Sequence, residues 1–177
     1  MNVEVNKVSV SYKIPKKNFK TLNLTNEELK TYISLLFNIL YGVTSDIQDK
    51  LITAKVINSG ININKLYTDD YIVISLTTET DYPETFINMV RDILNNININ
   101  EDELLRKVKV YKSNYILHFD DIELVNNNIQ DNIIENGKFI NNYMNILDNI
   151  SINVLKDIIK KLKSKSESIL VIKPMSK

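Results

Sequence analysis

The order of hydrophobic patterns along this chain constrains its fold more than any other feature. Some segments have the pattern of β-strands, and others have the periodicity of helices. Near the start, Val8, Val10, Tyr12 and Ile14 alternate with polar residues and stop at Pro15, which is typical of a half-buried strand. Near the end, the continuous apolar run 169–172 predicts a strand buried on both faces. Most of the sequence between them has helical periodicity, so a sheet combined with several helices is expected.

Capping and turn residues set the boundaries of these elements. Thr25 and Glu28 form a capping box for a helix that stops at Gly42, and Thr44 or Ser45 begins a second helix. The segments 61–67 and 71–78 are separated by a short polar turn and predict an antiparallel hairpin. Further helices are predicted after it, at the positions that follow in sequence: 83–97, 100–119, 122–136, 139–147 and 151–162.

This element order predicts an α+β fold, in which one mixed, largely antiparallel sheet packs against a layer of helices. Residues 1–177 are expected to form a single domain, because three glycines and three prolines leave little room for a linker. The segment 16–24 is expected to be a polar connection. The tyrosines at 111 and 115 lie on an apolar helical stripe and are expected to belong to the core.

Charge and composition exclude several classes of function. The chain has 22 basic and 22 acidic residues, and this balance argues against a nucleic-acid binder. The absence of cysteine excludes disulfides, thiolate nucleophiles and Cys-ligated metal sites. No apolar run approaches the roughly 20 residues of a membrane span, and the N-terminus does not resemble a signal peptide. We therefore expect a cytoplasmic protein with no nucleic-acid or membrane partner.

The candidate catalytic groups are few. His118 is the only histidine and lies near Asp120 and Asp121, but helix capping by these acids is the favoured interpretation. The acidic run 101–103 and the lysines around 160–165 are expected to complement helix dipoles. The sequence contains no HExxH, HxxEH, GxSxG or Gly-rich phosphate motif. The residues themselves therefore predict no active site.

The ordered set of segments resembles one half of the insulinase-type zinc metallopeptidases, a family that includes pitrilysin and the mitochondrial processing peptidase. The likeness covers nearly the whole chain and is carried by six segments: 8–15, 42–51, 72–76, 103–109, 119–126 and 169–174. In that family two similar halves close around an extended peptide, and the amino-terminal half carries the zinc motif HxxEH. Because this chain lacks HxxEH, it resembles the carboxy-terminal, non-catalytic half.

The resemblance implies a metallopeptidase-half fold and a role in enclosing or holding an extended peptide. It implies no cofactor in this chain, with zinc in a partner half, either the amino-terminal half of a longer parent hydrolase or a homologous subunit. Tyr71 and Tyr82 stand near the places from which many members contact substrate, although the segment 71–86 has no arginine. Two alternatives remain: a structural assembly subunit, and an enzyme using His118. An isolated copy is also expected to be able to form a homodimer.

Overall fold

The computed structural model describes residues 4–137, 139, 141–162 and 165–174. The strands are β1 (Lys7–Pro15), β2 (Asn62–Tyr67), β3 (Tyr71–Glu79) and β4 (Ser166–Ile172). The helices are α1 (Asn26–Tyr41), α2 (Asp46–Thr53), α3 (Pro83–Asn95), α4 (Glu101–Leu117), α5 (Ile122–Asn136), α6 (Tyr143–Asp148) and α7 (Ile152–Lys161). Two 3₁₀ helices, Lys16–Leu22 and His118–Asp120, complete the elements.

The four strands form one sheet in the order β2-β3-β1-β4, and every described pairing is antiparallel. Val10, in the middle of β1, lies opposite Leu76 of β3 on one side and Ile169 of β4 on the other. The last strand therefore pairs directly with the first. The α+β class and the largely antiparallel sheet are confirmed.

The helix boundaries follow from the capping residues. The Thr25 hydroxyl accepts a hydrogen bond from the Glu28 amide, and the Glu28 carboxylate accepts one from the Thr25 amide. Asn100 and Glu103 form the same motif at the start of α4, and Ser45 caps α2. A Cβ at Gly42, where α1 ends, would collide with the Asn38 carbonyl oxygen. Local chemistry therefore sets these helix ends as the sequence predicted.

The core lies between one face of the sheet and the helices. Alternate residues of the two central strands are buried on this face: Val8, Val10, Tyr12 and Ile14 of β1, and Ile72, Ile74 and Leu76 of β3. Phe37 of α1 and Phe86 of α3 are fully buried. The buried Tyr41 hydroxyl donates to the Val90 carbonyl at 2.8 Å and joins α1 to α3.

Two expectations about the ends of the sheet were wrong. The segment after β1 is a 3₁₀ helix that buries Phe19, because one apolar residue in a polar stretch is enough to anchor a turn. The run 169–172 is not buried on both faces. Ile169 is 37% exposed, Leu170 57% and Ile172 39%, because β4 is an edge strand in the described sheet. A continuous apolar run therefore does not distinguish an interior strand from an exposed edge strand.

The second half of the chain is less buried than its periodicity predicts. No described side chain of α5 is buried, and Ile122 and Ile134 are largely exposed. Tyr111 and Tyr115 are half-buried, whereas Phe119, on the same predicted stripe, is exposed. Helix α6 is shorter than the predicted 139–147, and residue 140 of that segment lies outside the described residues. Across the described ranges, no helix is long and apolar enough to cross a membrane.

Candidate functional site

The face of the sheet that points away from the core carries no buried side chain among the described residues. We call it the open face. It consists of the outward residues of all four strands: Lys7, Ser9, Ser11, Lys13 and Pro15 of β1, Asn62, Asn64 and Leu66 of β2, Tyr71, Val73, Ser75, Thr77 and Glu79 of β3, and Ser166, Ser168, Leu170 and Ile172 of β4. Side-chain alternation places them together, because paired residues share a face.

Small hydroxyl and amide groups dominate the centre of the open face. Asn64, Ser75, Ser11 and Ser168 stand in one register row across the four strands. The Ser11 and Ser75 hydroxyl oxygens are 2.8 Å apart and hydrogen-bonded. Each hydroxyl both donates and accepts, so this row offers hydrogen bonds in either direction to a bound chain.

One end of the open face is hollow. A cavity of about 520 Å³ lies between β2 and β4, with Thr77 and Leu170 among its lining residues. The Lys7 ammonium and the Glu79 carboxylate, 3.0 Å apart, form an ion pair at its border. The described residues of this face supply no histidine to act as an acid or base.

The structure places the two candidate substrate-contacting tyrosines apart. Tyr71 begins β3, and its ring centroid is 3.8 Å from the Lys13 ammonium, which is a cation–π contact. Tyr82 lies beyond the other end of β3 and precedes α3, and its amide donates to the Thr80 hydroxyl at 2.9 Å. A strand of this length spans roughly 30 Å, so the two rings do not form one pocket.

The described residues around His118 form no metal-binding group. His118 follows α4 and borders a cavity of about 370 Å³ lined mainly by aromatic and asparagine side chains. An Asp121 carboxylate oxygen instead accepts the amides of Glu123 and Leu124, at 2.9 and 3.2 Å, and so caps α5. Within the described ranges, no three His, Asp or Glu side chains are grouped to hold a metal ion. His118 and its neighbouring acids therefore do not fit the zinc site of the family that the sequence resembles.

The other charged clusters have local partners. The Glu103 carboxylate accepts the Asn100 amide at 3.0 Å at the start of α4. Lys160 pairs with Asp157 at 2.8 Å on α7. Burial lowers the pKa of Lys165, whose ammonium lies 5.7 Å from the ring centroid of Tyr12. These contacts are those of helix ends and strand edges.

One interaction that fixes β4 was not foreseen from the sequence. The Arg91 guanidinium of α3 donates to the Glu167 carboxylate of β4, with Nε 2.9 Å and Nη2 2.6 Å from Oε2. The hydrogen bond from Arg91 lowers the pKa of Glu167. Burial, and then the nearby Glu167 charge, raise the pKa of Tyr12, which lies opposite Glu167 in the register. Only the fold brings these distant residues together, so no local sequence signal marks the pair.

Replacing Glu167 with Gln is expected to reduce the free energy of unfolding at neutral pH. It is also expected to weaken the dependence of that free energy on pH in the acidic range. A carboxylate whose folded pKa is depressed contributes stability above its unfolded pKa of about 4.3, and this contribution is lost as pH falls through the folded value. Urea unfolding of the wild type and E167Q at pH 7, 4 and 3 measures the effect. Glu4→Gln, at an exposed position, is the control. Equal acid slopes for wild type and E167Q would contradict the expectation.

Comparison with known proteins identifies the fold. No family model and no curated protein sequence matches the chain. Among solved structures, it resembles a protein described as an M16-like peptidase from Alicyclobacillus acidocaldarius, with a TM-score of 0.82 and 14% identity over 99% of this chain and 42% of the other. A protease from Helicobacter pylori gives a TM-score of 0.73 and 16% identity over 97% of this chain and 42% of that one.

A third structure is similar over nearly its whole length. It is described as the inactive peptidase domain of a zinc protease from Bordetella parapertussis, with a TM-score of 0.73 and 12% identity over 100% of this chain and 96% of that one. At these identities the likeness concerns the fold alone. The chain has the insulinase-type, M16-like fold, and it spans less than half the length of the first two structures. The fold implied by the sequence resemblance is confirmed.

Proposed function

We propose that this chain is a non-catalytic, peptidase-like half that holds an extended peptide along its open face, while a partner half supplies the zinc and the hydrolytic chemistry. The open face carries this proposal: it belongs to an M16-like fold, is free of buried side chains among the described residues and is rich in hydroxyls. An inactive domain of the same fold provides a precedent for the non-catalytic role. We also place the protein in the cytoplasm.

The open face suits a peptide of varied sequence. Its central hydroxyls, including Ser11 and Ser75, can bond to main-chain groups, which every peptide presents. β1 has nine residues and is therefore about 30 Å long, enough for an extended segment of similar length. Tyr71 and Tyr82 stand near opposite ends of β3, where each could contact one end of the bound segment.

Helix α5 supports the existence of a partner half. A helix of 15 residues is marginal on its own, and no described α5 side chain is buried to stabilise it. Its exposed apolar residues include Ile122, Leu124, Ile133 and Ile134. The sequence 113–137 contains five acidic residues and no Lys or Arg. We therefore expect a partner with an apolar centre and a basic rim, as electrostatic complementarity requires.

The test compares this chain alone, an HxxEH-bearing half from the same parent, and the two together. Zinc is measured by elemental analysis, and cleavage is followed with a labelled unstructured peptide. We expect no stoichiometric zinc in this chain alone, and efficient cleavage only by the pair. A pair no more active than the zinc-bearing half alone would overturn the peptide-holding role and favour a structural assembly subunit. Stoichiometric zinc and cleavage in this chain alone would overturn the non-catalytic assignment.

A further inference from the structure

The two edges of the sheet differ in their protection against pairing. The β2 edge carries Asn62, Asn64 and Lys65, and polar or charged residues of this kind discourage strand addition. The β4 edge carries the uncharged apolar run 169–172, exposed on the strand's two faces. An exposed apolar edge strand with free main-chain groups is a template for another strand. The β4 edge is therefore the one at which a further strand is expected.

We propose that β4 pairs antiparallel with β4 of a second copy about a twofold axis at Leu170, which joins two sheets into one of eight strands. This inference does not depend on the peptide-holding role. It rests on the complementarity between the residues of β4 and those of the same strand in a second copy. Residues that face one another in paired antiparallel strands must lie on the same face of the sheet.

Charge selects the register. With Leu170 opposite its own copy, Glu167 of each chain faces Lys173 of the other, and Ile169 faces Val171. Opposite charges therefore meet at both ends of the paired segment, and the residues between them are apolar except Ser168, which faces Ile172. Moving the axis to Ile169 would instead oppose Lys165 and Lys173, which is a like-charge pair. Pro174 has no amide to donate and bounds the segment on one side.

The helices leave room for this arrangement. Helix α3 packs against β1, one strand inside the edge, and reaches β4 through the Arg91–Glu167 pair. The two α3 helices would then be about three strand spacings, or roughly 14 Å, apart, which exceeds the usual 8–10 Å contact distance. Ile169 and Val171 of both copies would lie between them. A twofold axis perpendicular to the sheet also keeps both open faces on the same side.

The first test is the oligomeric state of the purified chain, measured by sedimentation over a micromolar concentration series. We expect a dimer, and we expect Leu170→Lys to raise its dissociation constant roughly tenfold or more by opposing two lysines at the axis. Leu66→Lys is the matched control, since Leu66 is similarly exposed, at 59%, on the β2 edge. Lys173→Glu is expected to weaken the dimer through repulsion with Glu167, whereas Lys156→Glu on α7 is expected to leave it unchanged.

The second test fixes the register. Because the natural sequence has no cysteine, single cysteines can be introduced at 168, 169, 170, 171 and, as a control, 66. We expect L170C to form a disulfide-linked dimer fastest under mild oxidation, since a residue at the axis faces its own copy. A monomer throughout the concentration series would overturn the proposal. So would a dimer that survives L170K but is dissociated by Ile134→Lys on α5, or cross-linking of L66C at the rate of L170C.

Discussion

Replacing Phe86 with alanine is expected to lower the free energy of unfolding by about 3–5 kcal/mol, the usual cost of removing a buried aromatic ring. Phe86 is fully buried in the first half of α3. Its ring belongs to the core cluster that includes the inward residues of β1 and β3. The truncation both loses apolar burial and leaves a cavity between a helix and the sheet, which the surrounding rigid strands cannot fill.

The matched control is Phe119→Ala, the same substitution at a side chain that is 59% exposed. Phe119 makes an edge-to-face contact with Tyr115 at a centroid distance of 5.2 Å, and such a contact is worth about 0.5–1.5 kcal/mol. Its loss is therefore expected to cost far less than the loss of Phe86. Urea unfolding followed by circular dichroism measures both. Equal losses for the two variants would contradict the described packing and indicate that the α4–α5 region belongs to the core.

The parts of the fold that were predictable from the sequence are those fixed by local chemistry. The apolar–polar alternation that begins at Val8 and the capping box at Thr25 each act within one element. The alternation therefore determines the strand, and the capping box determines where the helix begins. Pro83 at the first turn of α3 is a signal of the same kind. Such features need no knowledge of what the element packs against.

The misjudged parts depend on what lies beyond an element. The run 169–172 and the apolar residues of α5 have the composition of buried structure, but the described chain covers neither of them. An apolar composition favours burial of a segment, but it does not indicate whether the same chain or another one buries it. In both segments the structure exposes apolar side chains that the sequence pattern predicted to be buried.

The candidate site was predictable only in outline. The resemblance supplied the fold and drew attention to Tyr71 and Tyr82, and the strand predicted at 71–78 already placed these two tyrosines at its opposite ends. The open face arises from register: Ser11, Ser75 and Ser168 meet only because three strands distant in sequence are aligned. The Arg91–Glu167 pair is equally a product of topology. Single-sequence patterns carry no information on such cross-strand rows.

Filling the centre of the open face is the sharpest test of where the peptide binds. Ser75→Tyr is expected to weaken binding of a labelled unstructured peptide about tenfold or more, because a bulky ring would cover the hydroxyl row and displace hydrogen bonds worth roughly 1.4 kcal/mol or more in total. Tyrosine favours strands, and position 75 is not buried, so the fold is expected to persist with a nearly unchanged thermal midpoint.

Ser113→Tyr provides the matched control, since Ser113 is exposed on α4, outside the sheet. Fluorescence anisotropy gives the dissociation constant for this chain alone, and KM for cleavage gives the corresponding quantity for the pair of halves. We expect S75Y to raise both values and S113Y to change neither. If the two variants bind peptide equally well, the peptide does not lie on the open face. If S75Y raises KM without changing kcat, its effect is on holding the substrate, as expected of a half whose contribution is binding and not chemistry.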